Sequence, residues 1–151
     1  MLAAARAGAT VTAAARSESK LAQLRADAAR EGLTGIDTER CDFALQQDTA
    51  RLLDRLQAAG RKIDVLVNNV GVLLDDHSLT SEGRETSFGS NLLSHYHLTE
   101  GLIRRGLMAD SRGLVINMTS GGGYNVPLGT GLLNMTRPEK YNGTVAYAFH
   151  K

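Results

Sequence analysis

GLVINMTSGGGYNVPLGTGLLNMTRPEKYNGTVAYAFHK, residues 113–151, is the stretch on which the fold of this chain turns. It opens on a short apolar run, Leu114-Val115-Ile116, which predicts a buried strand. The hydroxyl pair Thr119-Ser120 leaves the end of that strand and enters three glycines, as a strand does when it delivers a reactive side chain to a cleft. Asn142-Gly143 predicts a turn, with Thr144 as the cap of a final helix. On that helix Tyr147 and Lys151 stand four residues apart, so a phenol and an ammonium share one face and can share a partner. An ammonium beside a phenol favours phenolate, at about 1.4 kcal/mol for each pKa unit below about 10. Tyr147 is therefore a candidate acid or base. A Tyr-x-x-x-Lys spacing also occurs on many solvated helix faces. Here its weight comes from its company: Ser120 after one strand, Asn68-Asn69-Val70-Gly71 after another, and Asn91 on a helix between them.

Working outward, the rest of the chain alternates strand and helix patterns. Leu2 to Ala7 reads as the end of a helix, Gly8 as its stop and Ala9 to Ala14 as a strand. After Arg16-Ser17, Leu21, Leu24 and Ala28 recur at helical spacing up to Gly32. Ile36 to Cys41 is a short, weakly hydrophobic strand, followed by Asp42-Phe43. Leu52, Leu53, Leu56 and Ala59 mark a second amphipathic helix closed by Gly60. Ile63 to Val67 predicts a buried strand that ends on Asn68-Asn69-Val70-Gly71, at the carboxyl edge where open α/β sheets bind ligands. Residues 72–83 form a loop. Phe88, Leu92, Tyr96, Thr99, Ile103 and Leu107 then trace a long helical stripe, with Asn91 beside it. This alternation predicts an α/β fold with a parallel, doubly wound sheet and flanking helices, with no internal repeat and no second domain.

Composition narrows the function. The 151 residues are enough for one domain with a real core, and a net charge of +1, with no basic stripe, points to no nucleic-acid partner. Asp75-Asp76-His77 is a solvated cluster, and His95 and His97, two apart on a helix, point in different directions, so no metal is expected. Cys41, the only cysteine, excludes an internal disulfide and is expected in the core. No apolar run approaches the roughly eighteen residues that a membrane span needs, so a soluble chain, with the cytoplasm favoured, is expected. The first seventeen residues hold Arg6 and Arg16 and no acid, which resembles a transit peptide; the helix-end and strand pattern is the competing reading.

On these residues, from about Ala3 to Lys151, the chain resembles the short-chain dehydrogenase/reductases, which use a nicotinamide cofactor on a Rossmann-type fold. The resemblance implies that Tyr147 exchanges a proton with the substrate oxygen. Lys151 would hold the nicotinamide ribose and lower the tyrosine's pKa, Ser120 orient the carbonyl or alcohol, and Asn91 position a water in a proton relay. Cofactor contacts are implied for Asn68, Asn69, Gly71, Tyr147 and Lys151, with Val70 where the family carries alanine. Asp42 matches the residue that bonds the adenine. Arg16 stands where NADP-preferring members place a cation for the 2′-phosphate, so NADP (NADPH) is favoured over NAD. Ser120 and Tyr147 are 27 positions apart, and the long segment Tyr124 to Tyr141 resembles the retinol-dehydrogenase-like branch, which implies a hydrophobic carbonyl or alcohol as substrate. Helix 88–107 resembles the helices through which members form homodimers, although such a stripe is also ordinary core.

Set against the family's pattern, the chain has no Thr-Gly-x-x-x-Gly-x-Gly loop for the pyrophosphate and stops on Lys151, before the later strands. The expectation is thus a single incomplete NAD(P)-binding domain over 1–151. Its first and last strands would be missing, and the sheet would be opened at its centre. It would be a segment of an oxidoreductase that is inactive by itself. The alternative expectation is a catalytically inactive homologue that acts as a binding or dimerisation partner.

Overall fold

Ser17 accepts the Lys20 amide hydrogen at 3.3 Å, and that cap starts the helix which the spacing of Leu21 and Ala28 predicts. The computed structural model describes residues 1–110, 112–121 and 141–151, and the chain divides into two units, Met1–Asp42 and Phe43–Lys151. In the first unit, helix α1 (Leu2–Arg6) leads to strand β1 (Val11–Ala15), helix α2 (Glu18–Arg30) and strand β2 (Ile36–Arg40). The two strands pair in parallel with Val11 opposite Ile36, so β1, α2 and β2 form one strand-helix-strand crossover. Ala13, Leu21, Ala28 and Cys41 are the unit's buried apolar residues. Gly32 ends α2 with φ +69°, a conformation that costs glycine nothing.

The second unit begins with helix α3 (Gln46–Ala58), whose Leu52, Leu53 and Leu56 are buried as their spacing predicts. Its first amides are capped from a distance: Glu82 accepts the Gln46 N–H at 2.8 Å and the Gln47 N–H at 3.0 Å. Strand β3 (Val65–Asn68) follows, then π-helical turns over Phe88–Leu93 that run into helix α4 (Ser94–Arg104) and strand β4 (Leu114–Asn117). β3 and β4 pair in parallel, Val65 opposite Leu114. Gly101 has no side chain because a Cβ there would overlap Leu53 Cδ1, and this lets α3 and α4 pack closely. Helix α5 (Gly143–His150) closes the unit.

The described strands thus make two separate parallel pairs, β1-β2 and β3-β4, each bridged by a helix, in a partial Rossmann-type doubly wound α/β fold. Several local expectations change. The third strand begins at Val65 rather than Ile63, and neither it nor β4 is buried on both faces. Leu66 and Asn68 are buried, whereas Val65, Val67, Leu114 and Ile116 are exposed, because alternate residues of a strand point to opposite faces and only one face is covered. The long helix ends at Arg104, and most of its stripe is not core: Leu92, Tyr96 and Ile103 are exposed, Leu107 is buried beyond the helix end, and the buried side is lined by Ser90, Asn91, Ser94 and Leu102. The cap of α5 is Asn142, not Thr144, since the Asn142 side chain accepts the Val145 N–H at 3.0 Å. Gly143 is accordingly the first helical residue and not part of a turn. The expectations for Gly122, Gly123, Pro127, Pro138 and most of the segment from Tyr124 to Tyr141 fall outside the described residues.

Candidate active site

The site is built on the loop that leaves β3. Asn68, the last residue of that strand, is buried, and its amide donates to Thr99 Oγ1 at 3.0 Å and to Asn117 Oδ1 at 2.8 Å. It therefore ties β3, β4 and α4 together beneath the loop. Above it, residues 69–72 are gripped by three side chains from two helices. Asn91 accepts the Val72 N–H at 2.7 Å and donates to the Val72 carbonyl at 2.9 Å, the two-point grip that a carboxamide can give the backbone of one residue. His95, one turn further on, places Nε2 3.1 Å from the Val70 carbonyl. Lys151 donates to the Val70 carbonyl at 2.8 Å and to the Asn69 carbonyl at 3.1 Å.

Asn91 lies within the π-helical turns and is 1 % exposed, so its amide is shielded from competing water. Lys151 reaches the loop because Gly71 has no side chain: a Cβ there would stand 3.2 Å from Lys151 Cε and 3.3 Å from Nζ. The Lys151 amide bonds the Tyr147 carbonyl at 2.9 Å, which places the half-buried Tyr147 one helical turn before the ammonium. Burial holds the Lys151 pKa below its ordinary value. Burial likewise lowers the His95 pKa, the Lys151 charge lowers it further, and the bond to Val70 opposes both.

The structure therefore gathers Asn69, Gly71, Asn91 and Lys151 at one loop, with Tyr147 on the same helix as Lys151. Asn68 lies beneath them as a tie. Ser120 is half-buried three residues beyond β4. Arg16, exposed directly after β1, and Asp42, half-buried two residues after β2, belong to the first unit. Sequence reasoning missed His95, read only as half of an improbable metal pair. Its signal was the spacing of four from Asn91, which puts both on the face that meets the loop. Among the described residues no group of three or more His, Cys, Asp or Glu is gathered to hold a metal.

A nicotinamide riboside fits this donor set. An ammonium has three N–H groups, and two of those of Lys151 are spent on loop carbonyls, which leaves one for a ribose hydroxyl.

Comparison with known proteins places the fold in a family. Residues 2–131 match the family described as short chain dehydrogenase. Retinol dehydrogenase 12 of Mus musculus is 32 % identical over 120 residues, which cover 77 % of this chain and 37 % of that relative. Dehydrogenase/reductase SDR family member 12 of Bos taurus is 30 % identical over 145 residues, 95 % of this chain and 45 % of that relative. The crystal structure of an uncharacterized protein from Mycobacterium Paratuberculosis superposes with a TM-score of 0.77 at 28 % identity, over 97 % of this chain and 50 % of that one. The chain thus spans less than half the length of these two curated relatives. The family match spans 130 of the 151 residues, and the chain belongs to the short-chain dehydrogenase family.

Proposed function

We propose that this chain carries the proton-transfer and nicotinamide-side residues of an NAD(P)(H)-dependent oxidoreductase that interconverts a carbonyl and an alcohol. The observation that carries this reading is the seat of Lys151: its ammonium is held by the Asn69 and Val70 carbonyls one turn from Tyr147, on a loop that Asn91 holds from the other side. A bound nicotinamide supplies or accepts the hydride. Tyr147 Oη gives a proton to the carbonyl oxygen in reduction and takes it back in oxidation. Lys151, fixed by its two acceptors, bonds the ribose and so orients the nicotinamide toward the substrate. Ser120 orients the substrate oxygen. Asn91, already spending its amide on Val72, holds the relay in place through the peptide that it grips.

The cofactor we favour is NADPH, because Arg16 offers an exposed guanidinium immediately after β1, where a 2′-phosphate is recognised bidentately. Asp42 takes the adenine. The substrate is a hydrophobic carbonyl or alcohol, in keeping with the relative named as a retinol dehydrogenase. Leu92, Tyr96 and Ile103, exposed along helix 88–107, form the face through which we expect homodimers. Among the described residues no helix is long and apolar enough to cross a membrane.

The test is NADPH oxidation, with retinal and a panel of hydrophobic aldehydes and ketones, by a full-length protein in which this segment is joined to the pyrophosphate loop that it is expected to lack. Tyr147→Phe should lower kcat by roughly a hundredfold or more and leave the NADPH Kd within about threefold. Turnover retained by Tyr147→Phe, or no turnover by the wild-type protein with any carbonyl, overturns the assignment.

A further inference from the structure

Four polar side chains unused by the chemistry proposed above, or used in it only through Asn91, lie next to the catalytic helix and are almost fully buried: Glu85 is 0 % exposed, Ser87 1 %, Asn91 1 % and His150 2 %. Glu85 is their centre. Its carboxylate accepts the Ser87 N–H at 2.8 Å and the Phe88 N–H at 2.7 Å, so it caps the start of the helix that bears Asn91. Tyr141, the residue before the cap of α5, donates its hydroxyl to Glu85 Oε1 at 3.3 Å. His150, the last residue of α5, has Nδ1 3.7 Å from Glu85 Oε2 and 3.1 Å from Ser87 Oγ. Ser87 Oγ in turn accepts from Asn91 Nδ2 at 3.1 Å. One carboxylate therefore meets the residues at both ends of α5, and one hydroxyl joins His150 to Asn91.

Helix α5 needs such a device. Its eight residues are too few for a helix that stands by itself, and its buried apolar residues are the small Ala146 and Ala148. Alanine methyl groups are small, so the packing of these two side chains contributes little to fixing the orientation of the helix. Hydrogen bonds are directional, and a buried carboxylate that loses a partner is penalised strongly. We propose that Glu85 and His150 are positioning residues: together they fix both ends of α5, and thereby set where Tyr147 and Lys151 stand relative to Asn91 and loop 69–72. The functional consequence rests on the oxidoreductase reading; the seating of the helix does not.

Amide hydrogen exchange of residues 143–150 in the purified chain tests this, with α3 (46–58) in the same unit as internal reference. Glu85→Gln and His150→Gln should each speed exchange in α5 at least about tenfold while α3 stays within about twofold, since local release differs from general loss of stability. Tyr147→Phe should leave both helices unchanged. Tyr141→Phe removes one hydroxyl and no packing, and it should speed exchange at the start of α5 about threefold even if Glu85→Gln does not fold. Equal acceleration of α3 and α5, or an unmoved α5 in both His150→Gln and Tyr141→Phe, overturns the proposal. In turnover assays of the full-length protein the same variants should lower kcat with an unchanged NADPH Kd. A wild-type protein without turnover would refute the oxidoreductase reading, and the exchange result would still decide the positioning of α5.

Discussion

Replacing Asn91 by alanine removes three hydrogen bonds at once: that from the Val72 N–H at 2.7 Å, that to the Val72 carbonyl at 2.9 Å and that to Ser87 Oγ at 3.1 Å. A typical hydrogen bond contributes about 1 kcal/mol net, so the simple sum is about 3 kcal/mol. Two corrections act in opposite directions. Val72 is half-buried, so water can satisfy its peptide in part, which lowers the loss. Ser87 is 1 % exposed, so water does not replace the donor that its hydroxyl loses, which raises the loss, although His150 Nδ1 stays 3.1 Å from that oxygen. The expected destabilisation is therefore about 3 kcal/mol, roughly a 150-fold change in the folding equilibrium. With a denaturant slope of about 1.5 kcal/mol per M urea, the unfolding midpoint falls by about 2 M at unchanged slope. Circular dichroism across a urea series measures it. Asn91→Asp sharpens the test: it keeps the volume and an acceptor for the Val72 N–H, but turns a carboxylate oxygen toward the Val72 carbonyl and Ser87. It should be no more stable than Asn91→Ala. A loss below about 1 kcal/mol for alanine, or wild-type stability for aspartate, would show that the amide does not hold the loop.

Gly143→Ala should destabilise by about 2 kcal/mol or more: alanine's helix propensity gains about 1 kcal/mol at most, but its Cβ would overlap the Leu74 carbonyl oxygen, backbone against backbone. A thermal melt within about half a kcal/mol of wild type refutes the clash. Arg16→Asp should shift the ratio of NADPH to NADH use toward NADH, by about tenfold or more, as the phosphate loses its cation and meets an acid; an unchanged ratio removes the phosphate role. Burial first, then the Glu85 charge and the hydrogen bond to it, push the Tyr141 pKa up to about 12. Ultraviolet titration should therefore show one of the four tyrosines ionising late, and Tyr141→Phe should abolish that step. Because this folded pKa lies above the ordinary value near 10, its stabilising contribution is whole below about pH 10 and is lost as pH rises toward 12. Four tyrosines titrating together near pH 10 would refute the buried contact.

How much of this was legible beforehand depends on the range over which each feature is determined. Leu52, Leu53 and Leu56 announce α3, Ser17 announces the start of α2, and Gly32 and Gly60 announce where helices stop, since periodicity, caps and left-handed φ are properties of a few consecutive residues. Tyr147, Lys151, Asn91 and the Asn68 to Gly71 loop were recognisable because their chemistry needs those residue types at those spacings. Partners distant in the chain left no such trace. That Lys151 rests on carbonyls more than eighty residues away, that Glu82 caps α3, and that Glu85 reaches Tyr141 and His150 are matters of which loops meet in space. Burial was likewise undecided: an apolar run such as Val65-Leu66-Val67 looks the same whether one face of a strand is covered or both. The sequence by itself determined the class of fold and named the candidate reacting groups, because local hydrogen bonding and side-chain type suffice for both. Only the tertiary structure decided which carbonyls hold the lysine, which carboxylate meets Tyr141 and His150 and which faces stay open, because those contacts are made between segments that are neighbours only after folding.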